Sequence, residues 1–101
     1  MSKFNDLING EIPVLLDLYA DWCGPCKVLS PILKELKSDF NDSLIILKID
    51  VDKNTPISTK FQVKGVPTLI LFKDGKIIWR QSGLLSKKEL TQILKDKINI
   101  N

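Results

Sequence analysis

A nearly unbroken apolar run close to the start of the chain restricts the folds that the chain can adopt. Residues 14–20 contain one charged side chain, Asp17, among six apolar ones. Successive side chains of a strand point to opposite sides, so a strand that is apolar at consecutive positions needs cover on both faces. Helices provide that cover in α/β proteins, and the run therefore predicts this fold class.

The rest of the chain alternates between strand and helix periodicity. Strands are predicted at 14–20, 43–49, 68–72 and 76–81, and helices at 4–9, 27–40, 55–61 and from residue 87 onward. The second strand is predicted to be buried like the first. Two parallel strands joined by a helical crossover, followed by an antiparallel hairpin, give a mixed sheet of about four strands with helices on both faces.

Local signals mark where several of these elements begin, bend and end. Asp74-Gly75 is a strong two-residue hairpin signal between the last two strands. A capping-box pattern at Ser86 and Glu89 opens the last helix. Thr55 is predicted to cap the third helix, and Pro31 is predicted to kink the second.

Length, charge and composition narrow the function classes. A chain of 101 residues forms one domain, and 44% hydrophobic with 27% charged residues is ordinary for a soluble globular protein. A net charge of +3 with a single arginine, Arg80, argues against nucleic-acid recognition. No apolar signal core opens the chain and no run is long enough to span a membrane. The expectation is a cytoplasmic monomer that binds neither nucleic acid nor membrane.

The only two cysteines are separated by two residues at the predicted start of the second helix. Within Trp22-Cys23-Gly24-Pro25-Cys26, the thiols lie at i and i+3 of one helical turn, within reach of a disulfide. Unpaired N–H groups and the helix dipole favour a thiolate at a helix N-terminus. Cys23 lies where this effect is greatest and is predicted to be the exposed nucleophile. Cys26 is predicted to be more buried and to resolve the mixed disulfide that Cys23 forms with a substrate disulfide. The spacing and the helix position together indicate a reversible dithiol/disulfide couple.

The sequence leaves three alternatives to a redox couple open for the cysteine pair. A zinc site normally takes four ligands, and a chain with no histidine and no third cysteine supplies at most half of one. No metal is therefore expected. A structural disulfide is possible, although so short a loop would restrict the unfolded chain little. Two inert thiols would both have to fall by chance at one helix start.

Two charged residues are predicted inside strands. Asp17 lies in the first strand and Lys48 lies between Leu47 and Ile49 in the second. A buried carboxylate is costly, so its pKa should rise or it should find a partner. A cross-strand pair between Asp17 and Lys48 would answer both anomalies, and escape of each side chain to water at a strand edge is the alternative.

These residues and motifs together resemble the thioredoxin family along nearly the whole chain. The matching pieces are Asp17 nine residues before Cys26, Trp22-Cys23-Gly24-Pro25-Cys26-Lys27, Pro31, Ile49-Asp50-Val51-Asp52, Val63-Lys64-Gly65-Val66-Pro67-Thr68, Phe72-Lys73-Asp74-Gly75 and Gly83. A Cys-x-x-Cys motif near a βαβ pattern is typical of this fold. The resemblance implies one thioredoxin domain over residues 1–101, with the N-terminal strand of most members missing or vestigial.

The resemblance also implies roles for individual residues. In the family, the matching aspartate, Asp17, assists proton transfer at the buried cysteine, and Lys48 tunes it. The bond between Val66 and Pro67 is implied to be cis, facing the cysteines and pairing with extended substrate. The residues implied to form the substrate-binding surface are Trp22, Gly24, Pro25, Lys64, Gly65, Val66, Pro67 and Gly83.

The implied activity is that of a general protein-disulfide reductase without a bound cofactor. Its electrons would come from NADPH through a flavin-dependent thioredoxin reductase, and its substrates would be disulfide-containing proteins. Gly-Pro between the cysteines marks the reducing branch of the superfamily, which disfavours a disulfide oxidase or isomerase. A binding module that serves as a subunit of a larger machine is the alternative from another class, and the intact dithiol disfavours it.

Overall fold

Strand and helix periodicity produce the predicted elements in the predicted order. The computed structural model describes residues 2–98. Its helices are α1 (Ser2–Ile8), α2 (Gly24–Phe40), α3 (Thr55–Lys60) and α4 (Lys87–Ile98), with a short 3-10 turn at Asn41–Ser43. Its strands are β1 (Val14–Tyr19), β2 (Ile45–Asp50), β3 (Thr68–Lys73) and β4 (Lys76–Ser82). No strand precedes α1 within the described residues, and none of their helices is long and apolar enough to cross a membrane.

The four strands form one mixed sheet in the order β2-β1-β3-β4. β1 runs parallel to β2 and antiparallel to β3, and β3 pairs antiparallel with β4. The strand predicted to need cover on both faces is thus central. Its first five residues are fully buried, and the prediction of a mixed α/β sheet is confirmed.

Each face of the sheet carries its own hydrophobic core. One core joins Leu15 of β1 and Leu69 of β3 to the apolar stripes of α2 and α4. The other joins Leu16 of β1 and Ile70 of β3 to residues of α1 and α3. Because side chains alternate along β1, Asp17 shares a face with Leu15 and lies on the α2 side.

Two sequence-based predictions about the elements are wrong. The second strand is not buried like the first, because β2 forms an edge of the sheet and most of its side chains are only partly covered. Thr55 does not cap α3, since Asn54 takes that position. The Asn54 side chain instead donates to the backbone oxygen of Asp50 at 3.1 Å, which ties the helix start to the end of β2.

The capping signal predicted for α4 is present in the structure, whereas the kink predicted for α2 is not tested. The capping box is confirmed: the Glu89 amide donates to Ser86 Oγ and the Ser86 amide donates to Glu89 Oε1, each at 3.1 Å. Lys87 also pairs with Asp39 of α2 at 3.1 Å. α2 continues through Pro31 as one helix, and the kink stays a prediction.

We expect Gly75→Ala to destabilise the protein by about 1–3 kcal/mol, because the hairpin turn requires a left-handed backbone there. Asp74 and Gly75 have φ values of 53° and 78°, and the Gly75 amide donates to the Ile8 oxygen at 2.8 Å. A β-carbon on Gly75 would also collide with the side chain of Asn9. Urea unfolding measures the loss.

The matched control for this substitution is Gly65→Ala. A β-carbon on Gly65 meets no heavy atom within 4 Å, and its φ lies outside the left-handed region. We expect its effect on the free energy of unfolding to stay within about 0.5 kcal/mol. Equal losses in the two variants would contradict the role given to the Gly75 backbone.

Candidate active site

The two cysteines lie on the first turn of α2, just beyond the carboxyl end of β1. Cys23 is the N-cap residue of α2, and its Sγ accepts the Cys26 amide at 3.1 Å. The pair forms a disulfide with a Cα–Cα distance of 5.3 Å. A sulfur that receives a backbone N–H at a helix N-terminus is well placed to carry negative charge when the disulfide is reduced.

The predicted difference in exposure between the cysteines is wrong for this disulfide form. Cys23 is 3% exposed and Cys26 is 5% exposed. Both pack into a small cluster with Ala20, and Tyr19, Val51 and Val66 cover it. The sequence places Cys23 at a helix start, but Val51 and Val66 come from remote segments that the local pattern does not reveal.

Trp22 is an exposed aromatic side chain next to the disulfide. Its side chain is 72% exposed, yet the indole N–H donates to Asp52 Oδ2 at 2.8 Å. The Asp52 amide in turn donates to Asp50 Oδ1 at 2.9 Å. The indole is therefore held in one orientation despite its exposure, by a residue that follows the neighbouring parallel strand.

A loop from the far side of the sheet completes the surface around the disulfide. The Val66–Pro67 peptide bond is cis, as the resemblance implied. Val66 packs against the cysteine cluster. A shallow groove of about 120 Å³ beside it is lined by Trp22, Val51, Ser58, Val63, Lys64, Gly65 and Val66. The Gly83 amide donates to the Pro67 oxygen at 2.9 Å, which attaches the end of β4 to the same loop.

Asp17 is a fully buried carboxyl group with no hydrogen-bond partner. Its exposure is 0%, and neither of its oxygens accepts a hydrogen bond. Burial raises the pKa of Asp17 from 3.8 to about 6, and the positive charge of Lys48 opposes part of that rise. Asp17 faces the layer into which α2 directs its buried stripe, and Cys26 is the first member of that stripe.

Lys48 lies beside Asp17 in the strand register, but the two do not form the cross-strand pair that the sequence left open. Of the alternative, escape to water, only the Lys48 half is seen, because Asp17 stays buried. The Lys48 ammonium instead donates to Ser30 Oγ of α2 at 2.9 Å and lies 5.0 Å from the centre of the Tyr19 ring. On an edge strand, the lysine reaches solvent and a hydroxyl acceptor without being drawn into the interior. Lys48 therefore acts on Asp17 through its charge and not through contact.

The structure assembles most of the predicted site in one place. The residues that share the disulfide cluster, its helix start or the groove are Trp22, Cys23, Gly24, Pro25, Cys26, Lys64, Gly65 and Val66, with Pro67 and Gly83 attached through the loop. Asp52 belongs to the segment Ile49-Asp50-Val51-Asp52 quoted above, but the sequence did not predict its hydrogen bond to the Trp22 indole. A usable signal existed, because Trp22 and Asp52 each follow one of two strands predicted to be parallel, and the carboxyl ends of such strands meet at one edge.

The described part of the chain contains no set of side chains suited to bind a metal ion. Within residues 2–98, no three histidine, cysteine, aspartate or glutamate side chains are grouped so that they could hold an ion. The chemistry that the geometry supports is a dithiol/disulfide couple at the start of α2, with a buried carboxyl group on the face of β1 that α2 covers and an open groove beside the disulfide.

The sequence and the fold of this chain are similar to those of known proteins. The family model described as Thioredoxin matches residues 1–96. Thioredoxin 1 of Chlorobaculum tepidum is 43% identical over 92 residues, which cover 90% of this chain and 91% of the relative. The chloroplastic thioredoxin Y1 of Arabidopsis thaliana is 42% identical over 98% of this chain and 58% of the relative. A solved mutant thioredoxin from Halobacterium salinarum NRC-1 superposes with a TM-score of 0.89 at 34% identity, covering 100% of this chain and 88% of that chain.

Proposed function

The chain belongs to the thioredoxin family, and from that premise we propose the cycle, the electron source and the cellular setting in which it works. It is a thiol–disulfide oxidoreductase that reduces protein disulfides with the pair Cys23 and Cys26. The observation that carries the proposal is the position of Cys23 Sγ, which caps α2 and accepts the Cys26 amide while bonded to Cys26.

The proposed reduction proceeds through one mixed disulfide. The Cys23 thiolate attacks one sulfur of a substrate disulfide, a Cys23–substrate bond forms, and the other substrate sulfur leaves as a thiolate. Cys26 then loses its proton and attacks Cys23 Sγ. The Cys23–Cys26 bond forms and the second substrate sulfur leaves. Two electrons have passed to the substrate, and the chain is left in the disulfide state seen here.

We assign the proton of the second step to Asp17. A carboxyl group with a pKa of about 6 is mostly ionised at neutral pH and can still accept a proton from a thiol. Its two oxygens have no other partner. Lys48 tunes this equilibrium because its charge favours the ionised form of Asp17.

Substrate binding is assigned to the groove and the loop beside the disulfide. The groove brings together Trp22, Lys64, Gly65 and Val66, and Gly24 and Pro25 form the exposed first turn of α2. An extended substrate segment can pair with the Val66 backbone in the manner of strand addition. Pro67 and Gly83 hold that segment of the loop in place through their backbone hydrogen bond.

We propose that a flavin-dependent thioredoxin reductase returns electrons from NADPH to the disulfide. The chain would then be an electron carrier without a cofactor of its own. It would act as a monomer in the cytoplasm, on several disulfide-containing proteins. Support comes from the family membership and from a pair of sulfurs that needs no further redox centre to accept two electrons.

The test couples the purified chain to thioredoxin reductase, NADPH and a disulfide-linked test protein. We expect NADPH consumption that rises in proportion to the concentration of the chain, and none with a variant in which both cysteines are serine. Dithiothreitol in place of NADPH and reductase provides the comparison. Activity with dithiothreitol but none with the reductase would contradict the electron source, whereas inactivity with both would contradict the reductase function.

A further inference from the structure

The segment between α3 and β3 carries most of the groove but has no regular secondary structure. We call residues 61–67 the groove loop. It contains Val63, Lys64, Gly65 and Val66 of the groove and ends at Pro67. A loop binds a partner well only if its order does not have to be established during binding, since ordering flexible segments costs affinity. What holds the groove loop therefore bears on substrate recognition.

The groove loop begins with a helix-terminating turn that uses an unfavourable residue. The Gln62 amide donates to the Thr59 oxygen at 3.1 Å, and the Val63 amide donates to the Ser58 oxygen at 3.0 Å. This is the Schellman pattern, which places the residue after the C-cap in the left-handed region. That residue is Gln62, with φ 51°, where glycine would be usual. A side chain at this position disfavours the turn, so outside support is informative.

Arg80 of β4 supplies that support. Its Nη1 donates to the Phe61 oxygen, and its Nη2 donates to the Gln62 oxygen at 3.3 Å. Two N–H groups of one planar guanidinium thus hold two consecutive carbonyls at the end of α3. The positive charge also lies at a helix C-terminus, where the helix dipole favours it.

The far end of the groove loop is held by the same face of the same strand. Ser82 lies two residues after Arg80 on β4, and its hydroxyl is 2.9 Å from Thr68 Oγ1. Thr68 Oγ1 is also 2.6 Å from the Gly65 oxygen, to which it donates. β4 therefore holds the groove loop directly at Phe61 and Gln62, through Arg80, and indirectly at Gly65, through Ser82 and Thr68.

We propose that Arg80 is a positioning residue for substrate recognition: by fixing the carbonyls of Phe61 and Gln62, it holds the groove loop in the shape that a protein disulfide substrate meets. The proposal rests on the assignment of substrate binding to the groove. Among the described residues, the hydrogen bonds of the Arg80 side chain go to Phe61 and Gln62, and none goes to a sulfur or to Asp17. Its removal should weaken the capture of a protein substrate and leave the chemistry of the cysteines as it was.

The experiment compares Arg80→Met, which keeps an unbranched apolar stem but has no hydrogen-bond donors, with Arg80→Lys and with the control Gln81→Met. Gln81 is exposed on the same strand, and its side chain points to the opposite face. Each reduced protein is mixed with increasing concentrations of a disulfide-linked test protein, and formation of the Cys23–Cys26 disulfide is followed in a single turnover. The rate of alkylation of Cys23 by iodoacetamide is measured in parallel.

We expect Arg80→Met to raise the half-saturating substrate concentration about threefold to tenfold, the range for losing one or two positioning hydrogen bonds. The rate at saturation and the alkylation rate should stay within about twofold of those of the unchanged protein. A change of that size is within the usual effect of a surface substitution. Arg80→Lys should fall between, because lysine restores the charge but not the paired donors. Gln81→Met should match the unchanged protein in every measurement.

Amide hydrogen exchange keeps the proposal testable if Arg80→Met is too unstable for kinetics. Arg80→Lys should then show faster exchange at Gln62 and Val63 than the unchanged protein, with no change in the β1 amides. An unchanged half-saturating concentration, or unchanged exchange at these two amides, overturns the role of Arg80. Failure of the unchanged protein to reduce the test protein at all would instead count against the proposed function.

Discussion

Cys23→Ser should reduce the rate of protein-disulfide reduction by roughly a thousandfold or more, to the uncatalysed level. A serine hydroxyl at the N-cap of α2 still accepts the Cys26 amide but forms no thiolate, and the remaining thiol at Cys26 lies one turn further into the helix. The rate is measured with dithiothreitol and a disulfide-linked test protein, so that no reductase partner is needed.

Cys26→Ser should have a different consequence, because it leaves the nucleophile intact and removes the group that resolves the intermediate. We expect the protein to accumulate as a mixed disulfide with its substrate, visible as a species of added mass that disappears with excess reductant. Cys26→Ala is the matched control, since it removes the hydroxyl as well and should trap substrate equally. Full activity of Cys23→Ser, or trapping by Cys23→Ser in place of Cys26→Ser, would reverse the two roles.

Asp17→Asn should stabilise the disulfide form of the protein at pH 8 and slow its turnover. The pKa of Asp17 is raised from 3.8 to about 6 because burial penalises the charged form. Folding at pH 8 therefore carries the cost of an ionised, unpartnered carboxylate, and a shift of this size corresponds to about 3 kcal/mol. The neutral amide avoids the charge, and we expect a gain of roughly 1–3 kcal/mol in the free energy of unfolding.

The pH dependence of that gain identifies its cause. Between pH 4 and pH 6 the folded state binds more protons at Asp17 than the unfolded state, so the stability owed to this group falls as the pH rises. The stabilisation by Asp17→Asn should thus be near zero at about pH 3, small at pH 4 and complete by about pH 7. Urea unfolding of both proteins across this range measures the difference, in which the other carboxyl groups cancel.

The kinetic effect of Asp17→Asn should appear on the opposite side of the same pKa. Above pH 6 the carboxylate can take the proton of Cys26, and the variant should turn over about tenfold to a hundredfold more slowly. Below pH 6 the carboxyl group is protonated in the unchanged protein, so the two rates should converge. Equal turnover from pH 6 to pH 9 would show that Asp17 has only a structural effect.

The sequence determines the fold closely because each element carries its own periodicity and end signals. The apolar run of β1 predicts a central strand, Asp74-Gly75 predicts the hairpin, and the capping box at Ser86 predicts the start of α4. The exposure of β2 was not predictable, since its pattern resembles that of β1 and only the strand order decides which strand is central.

The site was predictable where chemistry depends on spacing and not where it depends on remote packing. The cysteine pair follows from two residues between thiols on one helical turn. The burial of Cys23 depends on Val51 and Val66, and the orientation of Lys48 depends on the competing acceptor Ser30 on α2. Neither contact can be predicted from the local sequence pattern, because each joins residues that are far apart in the chain.

No strand within residues 2–98 pairs with the outer side of β2, and this edge gives Lys48 a second physical effect. Alternate residues of β2, beginning with Ile45, direct their backbone groups toward β1, so those of Ile46 and Lys48 point away from the sheet. Unpaired edges of this kind invite association between molecules, and a lysine on the edge discourages it. Replacing Lys48 by an apolar residue would thus alter colloidal behaviour along with the electrostatics at Asp17. The rates of Lys48 variants should therefore be measured at several protein concentrations. A rate per molecule that does not change with concentration reports on the redox site and not on association.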